Sequence, residues 1–392
     1  MKLFYIQNCR FPTEKAHGYQ IAKMCEAFSV QDANLSLIVP DKNNSIKTIF
    51  FDYYHLRKNF VTEYINFFDF SNFNSWLPGR VSFYLNEVEF LLAILFKKFD
   101  KNSHCITRDP FVAFVLKLKK IAVLYECHDW FNKGKMLALL CLKKVDYIIT
   151  TNKFIKQNFL NNGFHAKRVH CLPNGIDLET FNLNLNKQEA RAELMDFFDV
   201  DFSSIRQSTI LLYTGSYKTM GVEKGIDEIL LALKKIHTKG VYFVAVGGSD
   251  KDIAYYQQVA KNIGIEEYVV LLGRVDQSTL AKFQKSADLL LMPFPDRAHY
   301  RFHMTPLKMF EYMASKRPII ASKLPSIQAI LNQEAAYFVK PGDAEDLAKK
   351  IDQILNNSEE AELIADNAFK NVLQFEWKNR AKKILDIMNY GS

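Results

Sequence analysis

Residues 300–322 combine a predicted helix N-terminus with a carboxylate one turn inside the helix. The apolar run at 288–293 predicts a buried strand, and Thr305-Pro306 predicts a helix start, because Thr caps helices and Pro is favoured at the first helical position. The N–H groups of a first helical turn lack intrahelical partners, so they attract an anion. Glu311 falls beside the predicted buried face, where a carboxylate can accept hydrogen bonds from two sugar hydroxyls. The stretch therefore predicts a site that holds a phosphate and a polyol together.

Basic residues lie after two other predicted strands in the second half of the chain. Lys224 precedes the helix predicted at 225–237, where a cation opposes the helix dipole unless it shares an anion with the backbone N–H groups. Arg274 follows the strand predicted at 268–272, where a guanidinium can stack on a base or pair with a phosphate. A solvated surface position is the ordinary alternative for each residue. The conflict with the dipole favours a phosphate-binding role for Lys224.

Two positions of the first half lie where doubly wound sheets bind ligands, just past the ends of predicted strands. Gly18 precedes the helix predicted at 19–28, and a ligand-binding loop and a simple tight turn are equally good interpretations of it. His128 follows the strand predicted at 122–125, and its position and polar neighbours favour the ligand-binding crevice. The alternative is a His that caps the next helix or packs under Trp130.

Strands and helices alternate in two consecutive series, which predicts two Rossmann-like α/β domains with a cleft between them. The strands of the first series are predicted at 3–7, 35–39, 104–107, 122–125, 147–150 and 169–172. Those of the second series are predicted at 209–214, 241–246, 268–272, 288–292, 318–321 and 336–339. The predicted domains are 1–178 together with a final helix at 375–392, and 207–374, joined by a polar connection at 179–206.

The composition is that of a soluble globular protein of 392 residues, with 48% hydrophobic and 24% charged residues. The formal net charge is +8, and residues 1–206 contribute +6 of it, from 27 Lys and Arg against 21 Asp and Glu. This mild excess fits nucleic acid, an anionic membrane or a phosphorylated substrate without choosing among them. The six cysteines have neither close pairs nor metal-ligand spacing, and we find no secretory signal, so a cytoplasmic protein with reduced thiols is expected.

The helix predicted at 80–99 is strongly apolar and carries Lys97-Lys98 near its end. A basic amphipathic helix of this kind can lie on a lipid surface. Packing of one side into the protein core is the more common outcome, and it is the favoured interpretation. Peripheral contact with a membrane, on its cytosolic face, is therefore a secondary expectation.

The sequence lacks the short motifs of several other enzyme classes. A GxSxG nucleophile elbow, an HExxH zinc helix and a GxxxxGK[ST] phosphate loop are all absent from it. No Asp-x-Asp pair follows an apolar strand as a divalent-metal clamp would, and no zinc-ligand spacing occurs. These motifs therefore give no support to hydrolase chemistry, and no bound metal is expected.

Longer motifs give a resemblance to a known family. They run in order through most of the chain: RFPTEKAHGYQIAKMCEAF, YECHDW, LPNGID, EKGIDEILLAL, LLGRV, SADLLLMPF, TPLKMFEYMASKRPIIAS and FEWKNRAKKIL. With these motifs the chain resembles the retaining glycosyltransferases of family 4, which have the GT-B fold. The specific part of the resemblance is the TPLKMFEYMA segment and its spacing to Lys224-Gly225 and to Gly273-Arg274-Val275.

The resemblance implies a nucleotide-sugar donor held mainly by the second domain and a glycan or lipid-linked acceptor held mainly by the first. It implies no cofactor, no metal ion and no nucleic-acid partner. Glu311 is expected to bind the donor ribose and Lys224 its diphosphate. The other implied site positions are Thr305, Pro306 and Leu307 at the phosphates, Arg274 and Val275 at the base, His128 beside the transferred sugar, and Gly18 in the first loop.

Two departures from the family pattern concern the donor site. His303 stands where the family has the first Glu of a Glu-x7-Glu pair, which binds sugar hydroxyls, so the identity of the donor sugar is open. Gly215-Ser216 replaces the usual Gly-Arg before Lys224, and Lys218 is the candidate for the missing positive charge. Three functions remain: a transferase acting with retention, a GT-B protein that binds a nucleotide-sugar with weakened turnover, and a GT-B sugar-nucleotide epimerase or hydrolase.

Overall fold

The computed structural model describes residues 1–66, 68–70, 78–131, 133–194, 207–219 and 221–389. Its contacts divide the chain into two compact units. The first unit consists of Met1–Asn174 together with Trp377–Ser392, and the second consists of Gly175–Glu376. Each unit has its own parallel sheet covered by helices, which is the α/β class that the sequence predicted.

The first unit is built on a seven-stranded sheet in which every neighbouring pair runs parallel. The order across the sheet is β3-β2-β1-β4-β5-β6-β7. Its strands are β1 (Lys2–Ile6), β2 (Asn34–Pro40), β3 (Val61–Ile65), β4 (His104–Thr107), β5 (Ala122–Cys127), β6 (Tyr147–Thr150) and β7 (Val169–Cys171). Its helices up to β7 are α1 (Ala16–Val30), α2 (Phe50–Tyr53), α3 (Gly79–Phe96), α4 (Pro110–Leu118), α5 (Lys135–Leu142) and α6 (Lys153–Asn161).

The strand order reverses between β1 and β4, which makes their carboxyl ends the ligand-binding edge of a doubly wound sheet. The central strands are apolar and buried because helices cover the sheet, whereas the edge strand β3 leaves Val61 and Tyr64 exposed. Helices α3 to α6 share one hydrophobic core with the strands. The last helix of the chain, Trp377–Asn389, packs against α1 and belongs to this unit, as the resemblance implied.

Helix α3 packs one side into the core of the first unit, which is the interpretation that its sequence favoured. Phe90 and Ile94 are buried in the core of the unit, but apolar residues on the other side of the helix, such as Phe83 and Phe96, are exposed. Core packing therefore accounts for only one side of α3. Within the described ranges, no helix has both the length and the hydropathy that a membrane-spanning segment requires.

The second unit repeats the architecture with six parallel strands in the order β12-β11-β8-β13-β14-β15. They are β8 (Thr209–Thr214), β11 (Val241–Val246), β12 (Val269–Leu272), β13 (Leu289–Met292), β14 (Ile319–Ser322) and β15 (Tyr337–Val339), and a short antiparallel pair is formed by β9 (Lys218–Thr219) and β10 (Val222–Glu223). The helices are α7 (Leu178–Phe181), α8 (Lys187–Ala192), α9 (Ile226–Leu233), α10 (Asp250–Ile263), α11 (Gln277–Ser286), α12 (Leu307–Ala314), α13 (Pro325–Gln328), α14 (Ala344–Leu355) and α15 (Ser358–Val372), followed in the first unit by α16 (Trp377–Asn389).

Helices α7 and α8 come from the stretch that the sequence assigned to a connection. Arg191 of α8 is 2% exposed and donates hydrogen bonds to the carbonyl oxygens of Ser286 (2.9 Å) and Ser208 (3.1 Å). It also forms a 2.7 Å ion pair with Asp288. The described part of the predicted connection, up to residue 194, is therefore packed into the second unit, and 195–206 lie outside the described residues.

Candidate functional site

The carboxyl ends of β8 and β13 lie side by side, because the two strands are parallel neighbours. β8 ends at Thr214 and leads into Gly215, whose φ of +107° lies in the left-handed region that favours glycine. β13 leads into Pro293, whose carbonyl oxygen is 2.0 Å from the place that a Cβ on Gly225 would occupy. These two glycines therefore let the loops approach the strand ends more closely than any other residue would permit.

Helix α12 begins one residue later than the sequence predicted. Pro306 occupies the N-cap position with extended backbone (φ −71°, ψ 138°), and no side chain caps the helix. The prediction that Thr305 caps the helix and Pro306 is its first residue is therefore wrong, because helical geometry starts only at Leu307. A first turn without a side-chain cap keeps its N–H groups available to an anion.

Glu311 lies one turn inside α12 and is only 7% exposed, because this helix is buried from Lys308 to Ala314 and not on one face alone. Its Oε2 accepts a hydrogen bond from Gln284 Nε2 at 3.1 Å. Burial raises the pKa of Glu311 to about 7, although Gln284 and Lys308 act in the opposite direction. The carboxylate is therefore held where hydroxyl donors from a ligand would stabilise its charge.

A small hydrogen-bonded frame attaches α12 to the end of β8. The Tyr312 hydroxyl accepts hydrogen bonds from the backbone N–H (2.8 Å) and the hydroxyl (3.3 Å) of Thr214. Gln284 Nε2 lies 3.3 Å from the same Thr214 hydroxyl as well as 3.1 Å from Glu311. These contacts fix the position of Glu311 relative to the turn at Gly215.

Lys224 lies in the loop before α9 and donates a hydrogen bond from Nζ to Ser216 Oγ at 2.8 Å. Ser216 follows the Gly215 turn, so the structure brings together two positions that the sequence assigned to the donor site. Burial lowers the pKa of Lys224 to about 8. A bound anion would favour the charged form of this lysine and oppose the effect of burial.

Lys308, in the first turn of α12, belongs to the same group and was missed by the sequence analysis. Its Nζ lies 3.5 Å from the centroid of the Tyr213 ring, is buried, and has no hydrogen-bond partner among the described residues. A Cβ on Gly215 would lie 3.3 Å from this Nζ. Burial holds the pKa of Lys308 well below its ordinary value; Lys224 lowers it further and Glu311 raises it. The dipole argument that selected Lys224 would have selected Lys308 as well.

The other predicted donor-site residues lie elsewhere in the second unit, with Lys218 on β9. The Lys218 Nζ lies 3.6 Å from the centroid of the Tyr255 ring, on α10. Arg274 is exposed after β12, while Val275 is half-buried and packs against the core of the unit. His303 is half-buried and ends a π-helical turn that precedes α12. Roles for these four residues in donor binding stay predictions.

Gly18 lies inside the first turn of α1 in the first unit, so the interpretation as a tight turn is wrong. A Cβ at this position would be 2.3 Å from the Tyr54 hydroxyl oxygen and 2.5 Å from Thr13 Cγ2. The Tyr54 hydroxyl is held there because it accepts from the Thr13 N–H (2.8 Å) and donates to the Thr13 carbonyl (2.7 Å). Close packing therefore requires glycine here, and a ligand-binding role stays a prediction.

His128 lies just past the carboxyl end of β5, with Nε2 3.3 Å from Glu126 Oε2. Burial lowers the pKa of His128 to about 4; Arg108 adds to the effect and Glu126 opposes it. The imidazole is therefore neutral near pH 7 and can exchange hydrogen bonds with an uncharged sugar. Trp130, the alternative packing partner, instead meets the ring of Phe159 edge-on at 5.1 Å.

Glu126 organises a buried cluster at this edge of the first sheet that the sequence did not reveal. It accepts hydrogen bonds from the Tyr5 hydroxyl (2.7 Å) and from Arg108 Nε (2.9 Å), and it pairs with Arg380 Nη2 at 2.6 Å. Burial alone would raise the pKa of Glu126, but Arg108 and Arg380 hold it well below its ordinary value. Because Arg380 lies on α16, this cluster ties the last helix to the strand ends of the unit.

Replacing Glu126 with Ala should lower the free energy of unfolding by about 3 to 5 kcal/mol, because Arg108 and Arg380 would be left buried without their shared partner. Guanidinium denaturation at pH 7 measures the change. Asp100→Asn is the control, since it breaks the exposed Lys2–Asp100 pair of the same unit and should cost less than about 1 kcal/mol. Equal losses in the two variants would contradict the role assigned to Glu126.

The two units, each with a doubly wound parallel sheet, define the class to which the chain belongs: an α/β protein with the GT-B fold. HepE of Anabaena, solved in complex with UDP-glucose, has the same fold at a TM-score of 0.74 and 14% identity, with 100% of both chains covered. TarM has it at a TM-score of 0.73 and 13% identity, with 99% of this chain and 98% of that one covered.

Sequence comparison identifies the family. A family model described as glycosyl transferases group 1 matches residues 208–357, and a model of glycosyltransferase family 4 matches residues 41–180. The chain belongs to the family 4 glycosyltransferases of GT-B fold, as its motifs indicated.

Curated relatives match over part of their length. An uncharacterised glycosyltransferase of Methanocaldococcus jannaschii is 26% identical over 243 residues, which are 61% of this chain and 59% of the relative. The sulfoquinovosyl transferase of Arabidopsis thaliana is 22% identical over 223 residues, which are 56% of this chain and 39% of the relative. The chain therefore aligns with less than two thirds of the length of these relatives.

Proposed function

We propose that the protein transfers a sugar from a nucleotide-sugar donor to a glycan or lipid-linked acceptor, with retention of configuration and without a metal ion. The observation that carries this proposal is the buried Lys308 amine, which has no hydrogen-bond partner among the described residues and interacts electrostatically with Lys224 and Glu311. Two lysines and an uncapped helix start suit a diphosphate, and the adjacent carboxylate suits a ribose. The UDP-glucose complex of HepE, a protein of the same fold, supports a donor of this chemical class.

Each group of the donor site has a part in the proposed reaction. The bond between the anomeric carbon and the β-phosphate oxygen breaks, and negative charge builds up on the departing diphosphate. Lys224, Lys308 and the N–H groups at the start of α12 stabilise this charge, which is the task that a metal ion performs in other transferases. The acceptor hydroxyl attacks from the face that the phosphate leaves, and its proton passes to the phosphate. No protein nucleophile is assigned.

A panel of UDP-, GDP- and TDP-sugars tests the proposal. Calorimetry should detect binding of at least one donor. Release of its nucleoside diphosphate should also be detected, because water slowly hydrolyses the donor when no acceptor is present. Tight binding without any release, even with acceptors added, would instead indicate the binding protein with weakened turnover. Release of the nucleotide with an epimerised sugar would indicate the epimerase. A protein that neither binds nor cleaves any donor is incompatible with the proposal.

His303→Ala should change the preference among donors that share a base but differ in the sugar. The reason is that His303 stands at the position of a family Glu that binds sugar hydroxyls. Ratios of kcat/KM between pairs of donors measure the change, because they express differences in transition-state binding. Affinity for the free nucleoside diphosphate serves as the control and should stay constant. An unchanged preference would show that His303 does not contact the sugar.

A further inference from the structure

The outward side of α3, α4 and α5 in the first unit is apolar. These three helices contain 14 of the 26 large hydrophobic residues that are exposed in the described chain. Phe96 and Met136 are each 78% exposed, and Tyr84 is 68% exposed. The full set is Val81, Phe83, Tyr84, Leu85, Val88, Leu92, Leu95 and Phe96 on α3, Phe111, Phe114 and Leu118 on α4, and Met136, Leu137 and Leu140 on α5. We refer to these residues as the α3–α5 face.

The α3–α5 face is continuous, because α4 packs against both α3 and α5. The inward residues of the three helices, such as Ile94, Leu116 and Leu142, enter one shared core under the sheet. The exposed residues therefore lie on the side turned away from the sheet. Monomeric soluble proteins rarely expose apolar patches larger than a few hundred Å2, and larger ones mark surfaces for a protein or a membrane.

The polar groups at exposed positions of these helices are exclusively basic. Apart from the apolar set, the exposed positions of α3, α4 and α5 are Gly79, Arg80 and Lys135. The two acidic residues of α3 are engaged elsewhere: Glu87 accepts from Asn8 Nδ2 at 3.0 Å, and Glu89 accepts from the Phe68 N–H at 2.7 Å. The face therefore combines apolar side chains with positive charge and has no exposed carboxylate on its helices.

Further lysines and a groove border the face. Exposed lysines close to the helix ends are Lys98, Lys120, Lys133, Lys143 and Lys144. A groove of about 370 Å3 is lined by Gly79, Arg80, Phe83, Tyr84 and Lys133, so two cations and two aromatic rings meet there. Aromatic rings with cations at their edge suit the boundary between lipid headgroups and acyl chains.

We propose that the α3–α5 face binds the surface of an anionic lipid bilayer, with its apolar side chains at the acyl boundary and its cations on lipid phosphates. The charge pattern selects lipid over a second copy of the chain. A two-fold dimer through this face would place two surfaces of positive charge against each other, with no exposed carboxylate on these helices of either copy to pair with the cations. An anionic leaflet instead attracts each Lys or Arg near its surface.

Vesicle sedimentation with the full chain tests the proposal. The protein should bind vesicles of phosphatidylcholine that contain about one third phosphatidylserine, and it should bind pure phosphatidylcholine about 10-fold or more weakly. The triple variant Phe83→Ser, Phe96→Ser, Met136→Ser should lose at least about 100-fold in affinity, because three apolar side chains no longer enter the bilayer. All three residues are exposed, so the variant should fold normally, and circular dichroism checks that it does.

The matched control is the double variant Leu231→Ser, Leu363→Ser, which removes apolar residues 49% and 60% exposed on the second unit. It should bind the anionic vesicles as the unmodified chain does. The proposal fails if the unmodified chain does not bind anionic vesicles, or if the triple variant binds them as tightly as the unmodified chain does. The proposal is also refuted if the unmodified chain forms a dimer and does not bind vesicles, while the triple variant is a monomer. That result would show that the α3–α5 face binds a second copy of the chain. Donor binding, measured without vesicles, is a separate readout that the triple variant should leave unchanged.

Discussion

Replacing Lys308 with Met should weaken the binding of the nucleoside diphosphate of the preferred donor by about 10- to 100-fold, and should slow donor cleavage by about 100- to 1000-fold. A buried ammonium without a hydrogen-bond partner is unfavourable in the free protein, so it gains more from a phosphate oxygen than an exposed lysine would. Met has a similar length without the charge. The variant therefore removes the cation while it keeps the packing against Tyr213.

Proton uptake gives a second measurement of the same prediction. In the free protein burial and Lys224 hold the pKa of Lys308 well below its ordinary value, while Glu311 opposes them and the Tyr213 ring lies over the amine. A bound diphosphate raises this pKa again, so protons are taken up on binding at pH values between the free and bound pKa. Calorimetry in buffers of different ionisation enthalpy measures the uptake. Lys308→Met should reduce it, and the remainder should combine proton uptake by Lys224 with proton release by Glu311.

Lys285→Met is the matched control for Lys308→Met. Lys285 is a half-buried lysine of the second unit, and burial lowers its pKa to about 8, but its Nζ lies 3.4 Å from the Ser315 carbonyl oxygen. Its loss should leave nucleotide affinity and proton uptake unchanged. Lys218→Met should weaken binding less than Lys308→Met, because Lys218 is half-buried and its amine keeps some contact with water, whereas Lys308 is buried. If Lys308→Met kept full affinity and Lys218→Met bound weakly, Lys218 and not Lys308 would supply the positive charge that the family's Arg provides.

The two lysines show what sequence reasoning could and could not find at this site. Lys224 stood out because it precedes a helix in a polar, Gly-containing loop, where a cation opposes the helix dipole unless an anion is bound. Lys308 follows the same physical rule, but its neighbours Leu307, Met309 and Phe310 made the stretch read as core. Packing against β8 and β13 decides which side chain of this fully buried helix faces the strand ends. The periodicity of the sequence does not contain that information.

Features that depend on tertiary contacts were the others that the sequence could not predict. The two α/β series follow from apolar runs and their spacing, and the structure confirms this fold class. The Glu126 cluster needed Arg380 from the last helix, a contact between positions far apart in the chain. Helix α3 was ambiguous for another reason: both of its sides are apolar, so its sequence did not indicate which side would meet solvent.

Replacing Glu311 with Gln should weaken the binding of both the nucleoside and the nucleoside diphosphate by about 100-fold, because a carboxylate that accepts from two ribose hydroxyls is lost. Lys308→Met should instead leave nucleoside binding unchanged, since the nucleoside has no diphosphate. The 2′,3′-dideoxynucleoside diphosphate is the ligand control, because without ribose hydroxyls it should bind the parent chain and Glu311→Gln almost equally. Equal losses for the deoxygenated and natural ligands would refute contact between Glu311 and the ribose.

The pH dependence of nucleotide affinity distinguishes the contribution of the Glu311 charge from that of the shape of its side chain. Burial raises the pKa of Glu311 to about 7, so the free protein loses the carboxylate as pH falls through 7, whereas a carboxylate at its ordinary value would stay charged. The affinity ratio between the parent chain and Glu311→Gln should therefore be largest above pH 7 and fall towards one below it. Taking the ratio cancels protonation of the nucleotide, which is the same for both proteins. Gln is also close to the neutral form that the native site adopts at low pH, so the variant should keep the hydrogen-bonded frame of Gln284, Thr214 and Tyr312.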